Sequence, residues 1–149
     1  MSHHFERCIQ GRGLRRCAAD PAKVEREITE ARSDCASAAT SLQQSDYKWA
    51  IIKAYYSMFH ACKSLLFSVG YVEKSHDCLI VAVQELFVDS GLLPATLART
   101  VRDAKSAREA ADYGLTYSDD AARMIIQDAE EVYRIVATFH SKGPSRSSR

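Results

Sequence analysis

The sequence predicts an all-α protein that folds as an antiparallel up-and-down bundle of four to five helices. Apolar residues recur at helical spacing along most of the chain, and capping signals separate the helical segments. No stretch alternates between apolar and polar residues for long enough to indicate a β-strand. With 149 residues, the chain has the length of one domain, which buries roughly 70% of its unfolded surface in a single core.

The first two predicted helices are separated by a short polar turn. Asp20 is a favourable N-cap and Pro21 stands at the first helical position, so the first helix is expected over residues 21–44. The second helix is expected over residues 46–69 and stops at Gly70. The second helix carries two apolar stripes, which predicts that it is the central helix of the bundle. The stripes are Ile52, Tyr55, Phe59 and Leu66, and Ile51, Ala54, Met58, Ala61 and Leu65.

Three further helices follow in the second half of the sequence. A short third helix is expected over residues 76–88, where "DSG" ends it. The fourth is expected to start near Pro94 and to end before "YGLTYS". Ser118 is a suitable N-cap for the fifth helix, whose inner face repeats at helical spacing.

The two ends of the chain differ in composition from the helical part. Residues 1–19, which include the glycine- and arginine-rich "GRGLRRC", are expected to be irregular or loosely packed. The helical bundle is expected to span residues 20–140. Residues 141–149 are polar and have no apolar partner, so they are predicted to be a disordered tail.

Charge and cysteine content limit the classes of function. The chain has 20 basic and 19 acidic residues and a net charge of +1, so contact with a polyanion must come from a local patch. The cysteines are odd in number and form no CxxC pair, which favours reduced, buried cysteines in a reducing compartment. They are Cys8, Cys17, Cys35, Cys62 and Cys78. A cytoplasmic protein without a membrane segment is predicted, because the sequence has neither a long apolar run nor a signal-peptide pattern.

No cofactor and no metal site is expected from the sequence motifs. The chain has no HExxH motif, no CxxC motif and no cluster of acids close in sequence to its histidines. It also has no glycine-rich loop of the kind that binds a nucleotide phosphate. These patterns exclude an ATPase and a dehydrogenase as first hypotheses.

Two segments resemble the HEPN family, especially its stand-alone archaeal and bacterial branch of small helical proteins. They are "YKWAIIKAYYSMFHACKSLLFSVGYVEKSHDCL" and "AREAADYG", and the similarity extends from "FERCIQGRGLRR" to about residue 139. The resemblance implies a helical bundle that forms a homodimer and is often encoded beside a minimal nucleotidyltransferase. In many such pairs the HEPN protein is the toxin and the nucleotidyltransferase is the antitoxin.

Active members of the family resemble metal-independent ribonucleases in which a histidine follows an arginine after four to six residues. Histidine titrates near neutrality and transfers a proton, while arginine binds the phosphate. Arg108 occupies the arginine position, but Tyr113, Gly114 and Leu115 occupy the three histidine positions. Tyr113 is a poor base at pH 7, since a tyrosine has an ordinary pKa of about 10. The resemblance therefore implies a phosphate-binding groove with Arg108, Asp112 and Tyr113, in which the proton-transfer residue is replaced.

Each of these groups also has a purely structural interpretation. Arg108 and Asp112 have the spacing of a surface ion pair on a helix, with Tyr113 at the helix end. The "KSH" turn fits a loop in which Ser75 caps the third helix. The functional alternative is that Lys74 and His76 face a phosphate beside Arg108 in a dimer groove.

Two functional hypotheses follow from the residues and the resemblance. The first is an RNA- or nucleotide-binding module, the HEPN half of a toxin–antitoxin-like pair, with Lys74, Ser75 and His76 among its binding residues. The second is a non-catalytic homodimeric interaction protein that binds a nucleotidyltransferase partner. By resemblance, such a partner would transfer an adenylyl group to a tyrosine near the arginine, Tyr113 or Tyr117.

Overall fold

Helices dominate the computed structural model, which describes residues 2–114 and 117–142. In chain order the elements are α1 (His3–Gln10), β1 (Leu14–Arg16), α2 (Pro21–Gln43), α3 (Tyr47–Ser68), β2 (Tyr71–Glu73), α4 (His76–Val83), a π-helical turn (Gln84–Val88), α5 (Leu97–Asp112) and α6 (Asp119–Ser141). The predicted all-α bundle is confirmed. It contains one more helix than predicted, because α1 forms in the N-terminal segment.

Helix α3 is the central helix, as its two apolar stripes predicted. It packs against α2, α4, α5 and α6, and most of its side chains are buried. The predicted N-caps Asp20 and Ser118 are present, and Asp46 caps the start of α3. Asp20 accepts hydrogen bonds from the backbone N–H groups of Ala22 and Lys23, and Asp46 and Ser118 cap α3 and α6 in the same way.

The N-terminal segment is ordered and packs on the bundle, so the expectation of an irregular or loosely packed segment over residues 1–19 was wrong for its described part. Phe5 of α1 and Leu14 of β1 are buried in the core. Strand β1 pairs antiparallel with β2, with Leu14 opposite Glu73. Each strand has three residues, which is too short for a period-two pattern to be recognised in the sequence.

A disulfide joins Cys8 of α1 to Cys78 of α4. The interpretation of all five cysteines as reduced was therefore wrong for this pair. The two residues are 70 positions apart, and only the packing of α1 against α4 brings them together. Cys17, Cys35 and Cys62 are free, and Cys62 is buried.

The third helix differs from the prediction in type and the fourth in its boundary. The third helix extends over residues 76–88 as predicted, but its last turn is π-helical. The fourth begins at Leu97, three residues after Pro94. In the described part of the chain, no helix is both long and apolar enough to cross a membrane. The predicted disordered tail over residues 141–149 lies, from residue 143 onwards, outside the described residues.

Candidate functional site

Arg108 lies in the last part of α5, and its side chain packs against aromatic rings of α3. The guanidinium carbon is 5.4 Å from the centroid of the Tyr55 ring and 5.8 Å from that of Tyr56. Nη1 donates a hydrogen bond of 3.4 Å to Tyr56 Oη. The buried Nε has no hydrogen-bond partner among the described residues. The two tyrosine rings therefore hold the Arg108 guanidinium in place, and its Nε–H remains without a hydrogen-bond acceptor in the described part of the chain.

Acidic residues surround this arginine on the solvent side. Asp112 Oδ2 lies 3.2 Å from Arg108 Nη1, which is the ion pair that the spacing predicted. Glu109 Oε2 lies 3.9 Å from Nη2 of the same arginine. Both carboxylates are substantially exposed, so their ion pairs with Arg108 are weak and are readily exchanged for another anion.

Lys105 adds a second cation one turn earlier on α5. Its Nζ lies 2.7 Å from Glu109 Oε2 and 3.4 Å from Asp77 Oδ1. Asp77 belongs to the first turn of α4, so Lys105 links α5 to the start of α4. The hydrogen bond to Glu109 raises the pKa of Lys105, which keeps the lysine charged.

His76 is the first residue of α4 and lies in the same aromatic environment. Its ring stacks on Phe59 with a centroid distance of 4.3 Å, and its Nδ1 lies 2.6 Å from Tyr55 Oη. Burial lowers the pKa of His76 below its ordinary value of 6.5, and the charges of Arg108 and Lys105 lower it further. His76 is therefore neutral at pH 7, the form in which one ring nitrogen can accept a proton.

Arg108 and His76 come together through two shared aromatic neighbours. Both contact Tyr55, and both lie near the Tyr56 ring, whose centroid is 6.2 Å from that of His76. Ser75 also caps α4 by accepting a hydrogen bond from the backbone N–H of Cys78. The "KSH" turn therefore has both features: Ser75 is the N-cap of α4, and His76 lies near Arg108. We name Tyr55, Tyr56, Phe59, His76, Lys105 and Arg108 the arginine–histidine cluster.

Three other site residues predicted from the sequence, Lys74, Tyr113 and Tyr117, are not members of this cluster. Tyr113 follows α5 and is 78% exposed, and Tyr117 is 47% exposed. Lys74 is exposed, and its backbone N–H donates to the carbonyl of Gly13. Leu115, one of the three histidine positions, lies outside the described residues. Neither tyrosine contacts His76 in the described part of the chain.

Four members of the cluster were not predicted as site residues. Tyr55 and Phe59 were assigned to an apolar stripe of the central helix, while Tyr56 and Lys105 were not assigned to the site. The one signal in the sequence was the row of aromatic residues on the second helix. This row contacts the histidine of the "KSH" turn only in the folded protein.

A second group of residues, whose side chains are of the types that bind metal ions, lies between α2 and α3. One ligand atom from each of Glu30, Asp34 and His60 lies within 4.8 Å of the others. The Nδ1 of His60 is 2.6 Å from Oε1 of the buried Glu27. The sequence analysis missed these acids because they lie on a different helix from the histidine. Carboxylate and imidazole atoms are ligands that divalent metals accept. The group adjoins the arginine–histidine cluster, because the His60 ring centroid lies 5.5 Å from that of Phe59.

The fold and the cluster define a small helical-bundle protein with a partly buried arginine and histidine at the junction of three helices. The family model for the HEPN domain matches residues 24–139. The chain belongs to the HEPN family.

Three archaeal proteins are similar in sequence. A UPF0332 protein of Archaeoglobus fulgidus is 32% identical over 110 residues, which cover 72% of this chain and 87% of that protein. UPF0332 protein PH1297 of Pyrococcus horikoshii is 33% identical over 86 residues, which cover 58% of this chain and 61% of that protein. The protein named "Putative toxin MJ0605" of Methanocaldococcus jannaschii is 27% identical over 109 residues, which cover 72% of this chain and 81% of that protein.

Proposed function

We propose that this protein is an RNA-directed toxin whose arginine–histidine cluster binds the RNA backbone and cleaves it without a metal ion. The observation that carries the proposal is the shared contact of Arg108 and His76 with Tyr55. His76 then supplies, from α4, the proton-transfer group that is absent after Arg108 on α5. The name of the archaeal relative that is called a toxin supports the same class of function.

Arg108 is the phosphate-binding group in this proposal. An RNA phosphate replaces Asp112 and Glu109 at the exposed donors of the guanidinium, because a phosphate accepts two parallel N–H hydrogen bonds from arginine. The Tyr55 and Tyr56 rings keep the guanidinium in place when the carboxylates leave. Charge that develops on the phosphate oxygens is stabilised by Arg108 and, one turn away, by Lys105.

His76 is the general base. With its hydrogen on Nδ1, it donates to Tyr55 Oη and leaves the Nε2 lone pair free to accept the proton of a ribose 2′-OH. The 2′-oxygen forms a bond to phosphorus as the bond from phosphorus to the 5′-oxygen breaks, and the leaving oxygen takes a proton from water. The products are a 2′,3′-cyclic phosphate and a 5′-hydroxyl end.

Binding and cleavage of a labelled single-stranded RNA test the proposal with two variants. Arg108→Gln is expected to weaken binding and to abolish cleavage, while His76→Asn is expected to bind RNA and to lose about 100-fold or more in cleavage rate. Arg134→Gln is the control, since it removes an exposed arginine that is paired with a nearby glutamate, Glu131. Thermal melts establish that each variant is folded. Absence of RNA binding by the native protein at low salt would sink the proposal.

A second candidate is a non-catalytic homodimer that binds a minimal nucleotidyltransferase. The exposure of Tyr113, which directly follows α5, and of Tyr117 favours it, because an accessible phenol is a suitable acceptor for an adenylyl group. Co-expression with the product of the neighbouring gene is expected to yield a stable complex, and intact mass is expected to increase by one adenylyl group. Sedimentation tests the dimer. A monomer that does not co-purify with the transferase argues against this candidate.

A further inference from the structure

We propose that residues 3–16 form a second RNA-binding surface that continues from the arginine–histidine cluster. We call this segment, α1 and β1 with the turn between them, the N-terminal arm. The proposal rests on the proposed function and extends it to RNA on one side of the bound phosphate. The N-terminal arm lies outside residues 24–139, which the HEPN family model matches.

The N-terminal arm is strongly basic in an otherwise balanced chain. It contains four arginines and one glutamate, a net charge of +3, whereas the whole chain has a net charge of +1. The rest of the chain therefore has a net charge of −2. Such an asymmetry concentrates the attraction for a polyanion in one short segment.

The arginines of the arm are available for binding. Arg7, Arg12 and Arg15 are exposed, and none has an ion-pair partner among the described residues. Arg16 instead packs on the Tyr71 ring at 5.1 Å and donates to its Oη at 3.1 Å. Because no carboxylate neutralises the three exposed guanidinium groups, their charge acts on solvent and on any bound anion.

A cleft beside the arm includes Asp77, which is a neighbour of the arginine–histidine cluster. It has a volume of about 350 Å³ and lies between α1 and the start of α4, with His4, Arg7 and Asp77 in its walls. Asp77 also lies 3.4 Å from Lys105 Nζ, so one residue borders both the cleft and the cluster. In this proposal, an RNA strand bound at Arg108 passes Lys105 and Asp77 to reach Arg7 in the wall of the cleft.

The arm is held rigidly beside α4. The Cys8–Cys78 disulfide joins the two helices, and β1 pairs with β2 immediately before the "KSH" turn. The backbone N–H of Lys74 donates to Gly13 at 2.8 Å. A surface fixed in this way binds its ligand without the entropy loss of ordering a flexible tail.

Single-stranded RNA is the partner that fits these groups. Its phosphates repeat along the strand, so arginines on one short surface contact successive phosphates without reading the bases. Each neutralised phosphate of a single strand contributes about 0.7 to the slope of log affinity against log salt concentration. Two arginines of the arm should therefore account for about 1.4 of that slope.

The test compares two double variants with the same change in charge. Arg7→Gln/Arg15→Gln alters the arm, and Arg26→Gln/Arg32→Gln alters two exposed arginines of α2, which packs against α3 and α6. Affinity for a fluorescent oligouridylate is measured by anisotropy across a salt series. The arm variant should bind on the order of tenfold more weakly at about 0.1 M salt, with the slope reduced by about 1.4. The α2 variant should bind like the native protein.

The outcomes separate this inference from the proposed function. If the native protein binds RNA and Arg108→Gln weakens binding, but both double variants behave alike, the arm is not a binding surface and the proposed function stands. If the native protein does not bind RNA at low salt, both proposals are wrong. A reduced slope in the arm variant alone, with an unchanged thermal melt, supports the arm.

Discussion

Tyr55 Oη and His76 Nδ1 lie 2.6 Å apart, and this contact joins the buried centre of α3 to the first residue of α4. Burial raises the pKa of the Tyr55 phenol above its ordinary value, so the phenol stays protonated at pH 7. The side chain therefore acts as a neutral hydrogen-bonding partner that orients the imidazole, in the way that a second group orients a catalytic histidine.

Tyr55→Phe should lower the cleavage rate about tenfold while RNA affinity stays unchanged. The ring that packs on Arg108 remains, but the imidazole loses the group that orients it. Tyr56→Phe is the matched comparison. It removes the acceptor of an Arg108 hydrogen bond and should weaken RNA binding instead. Single-turnover rates and anisotropy separate the two effects, and equal losses of affinity in both variants would contradict this division.

The pKa of His76 should rise in the Arg108→Gln variant. Burial lowers the pKa most, and Arg108 is the next largest cause of the shift. Removing the arginine charge favours the imidazolium form, so part of the depression should disappear. NMR titration of the imidazole measures the pKa directly, and Arg134→Gln should leave it unchanged. An unaltered His76 pKa in Arg108→Gln would mean that the two side chains are farther apart than the structure has them.

The lowered pKa of His76 also makes the stability of the protein depend on pH. The pKa of His76 and that of His140 are both lowered by burial from 6.5, so between the folded value and 6.5 the unfolded chain binds more protons. The free energy of unfolding should therefore fall as the pH falls below about 6.5. Urea unfolding at a series of pH values measures it. His76→Asn should show a smaller decrease than the native protein.

Reduction of the Cys8–Cys78 disulfide should destabilise the protein by about 4 kcal/mol, because the bond closes a long loop in the unfolded chain. The two cysteines are separated by 70 positions. Cys78→Ser should unfold at the same denaturant concentration with and without a reductant. Cys17→Ser removes a free cysteine and should keep the redox dependence of the native protein. Equal stability of the native protein in both redox states would contradict this prediction.

The bundle was predictable because its signals are local. Asp20 with Pro21, Asp46 and Ser118 each stand at a helix start, and the apolar spacing of α3 indicates a helix covered on two sides. These features depend on neighbours within a few residues. The sequence therefore predicted the four long helices and the central position of one of them.

The site and the arm depend on contacts between distant parts of the chain. Arg108 meets Tyr56 across 52 positions, and His76 meets Tyr55 across 21. No spacing rule along one helix finds such pairs, and the family pattern directs the search for a histidine to residues after Arg108. The strand pair and the disulfide were missed for the same reason, since each needs its partner to be recognised.

Gly70→Ala should be more destabilising than Gly91→Ala, although both glycines have positive φ angles, +84° and +82°. A β-carbon at Gly70 would lie 2.8 Å from the carbonyl oxygen of Cys17, whereas at Gly91 it meets nothing within 4 Å. Gly91→Ala should cost about 1 kcal/mol for the left-handed backbone alone. Gly70→Ala should cost about 3 kcal/mol, because the backbones at Cys17 and at residue 70 must also move apart. Denaturant unfolding of both variants measures the difference, and equal losses would mean that the segment after β1 does not pack on the end of α3.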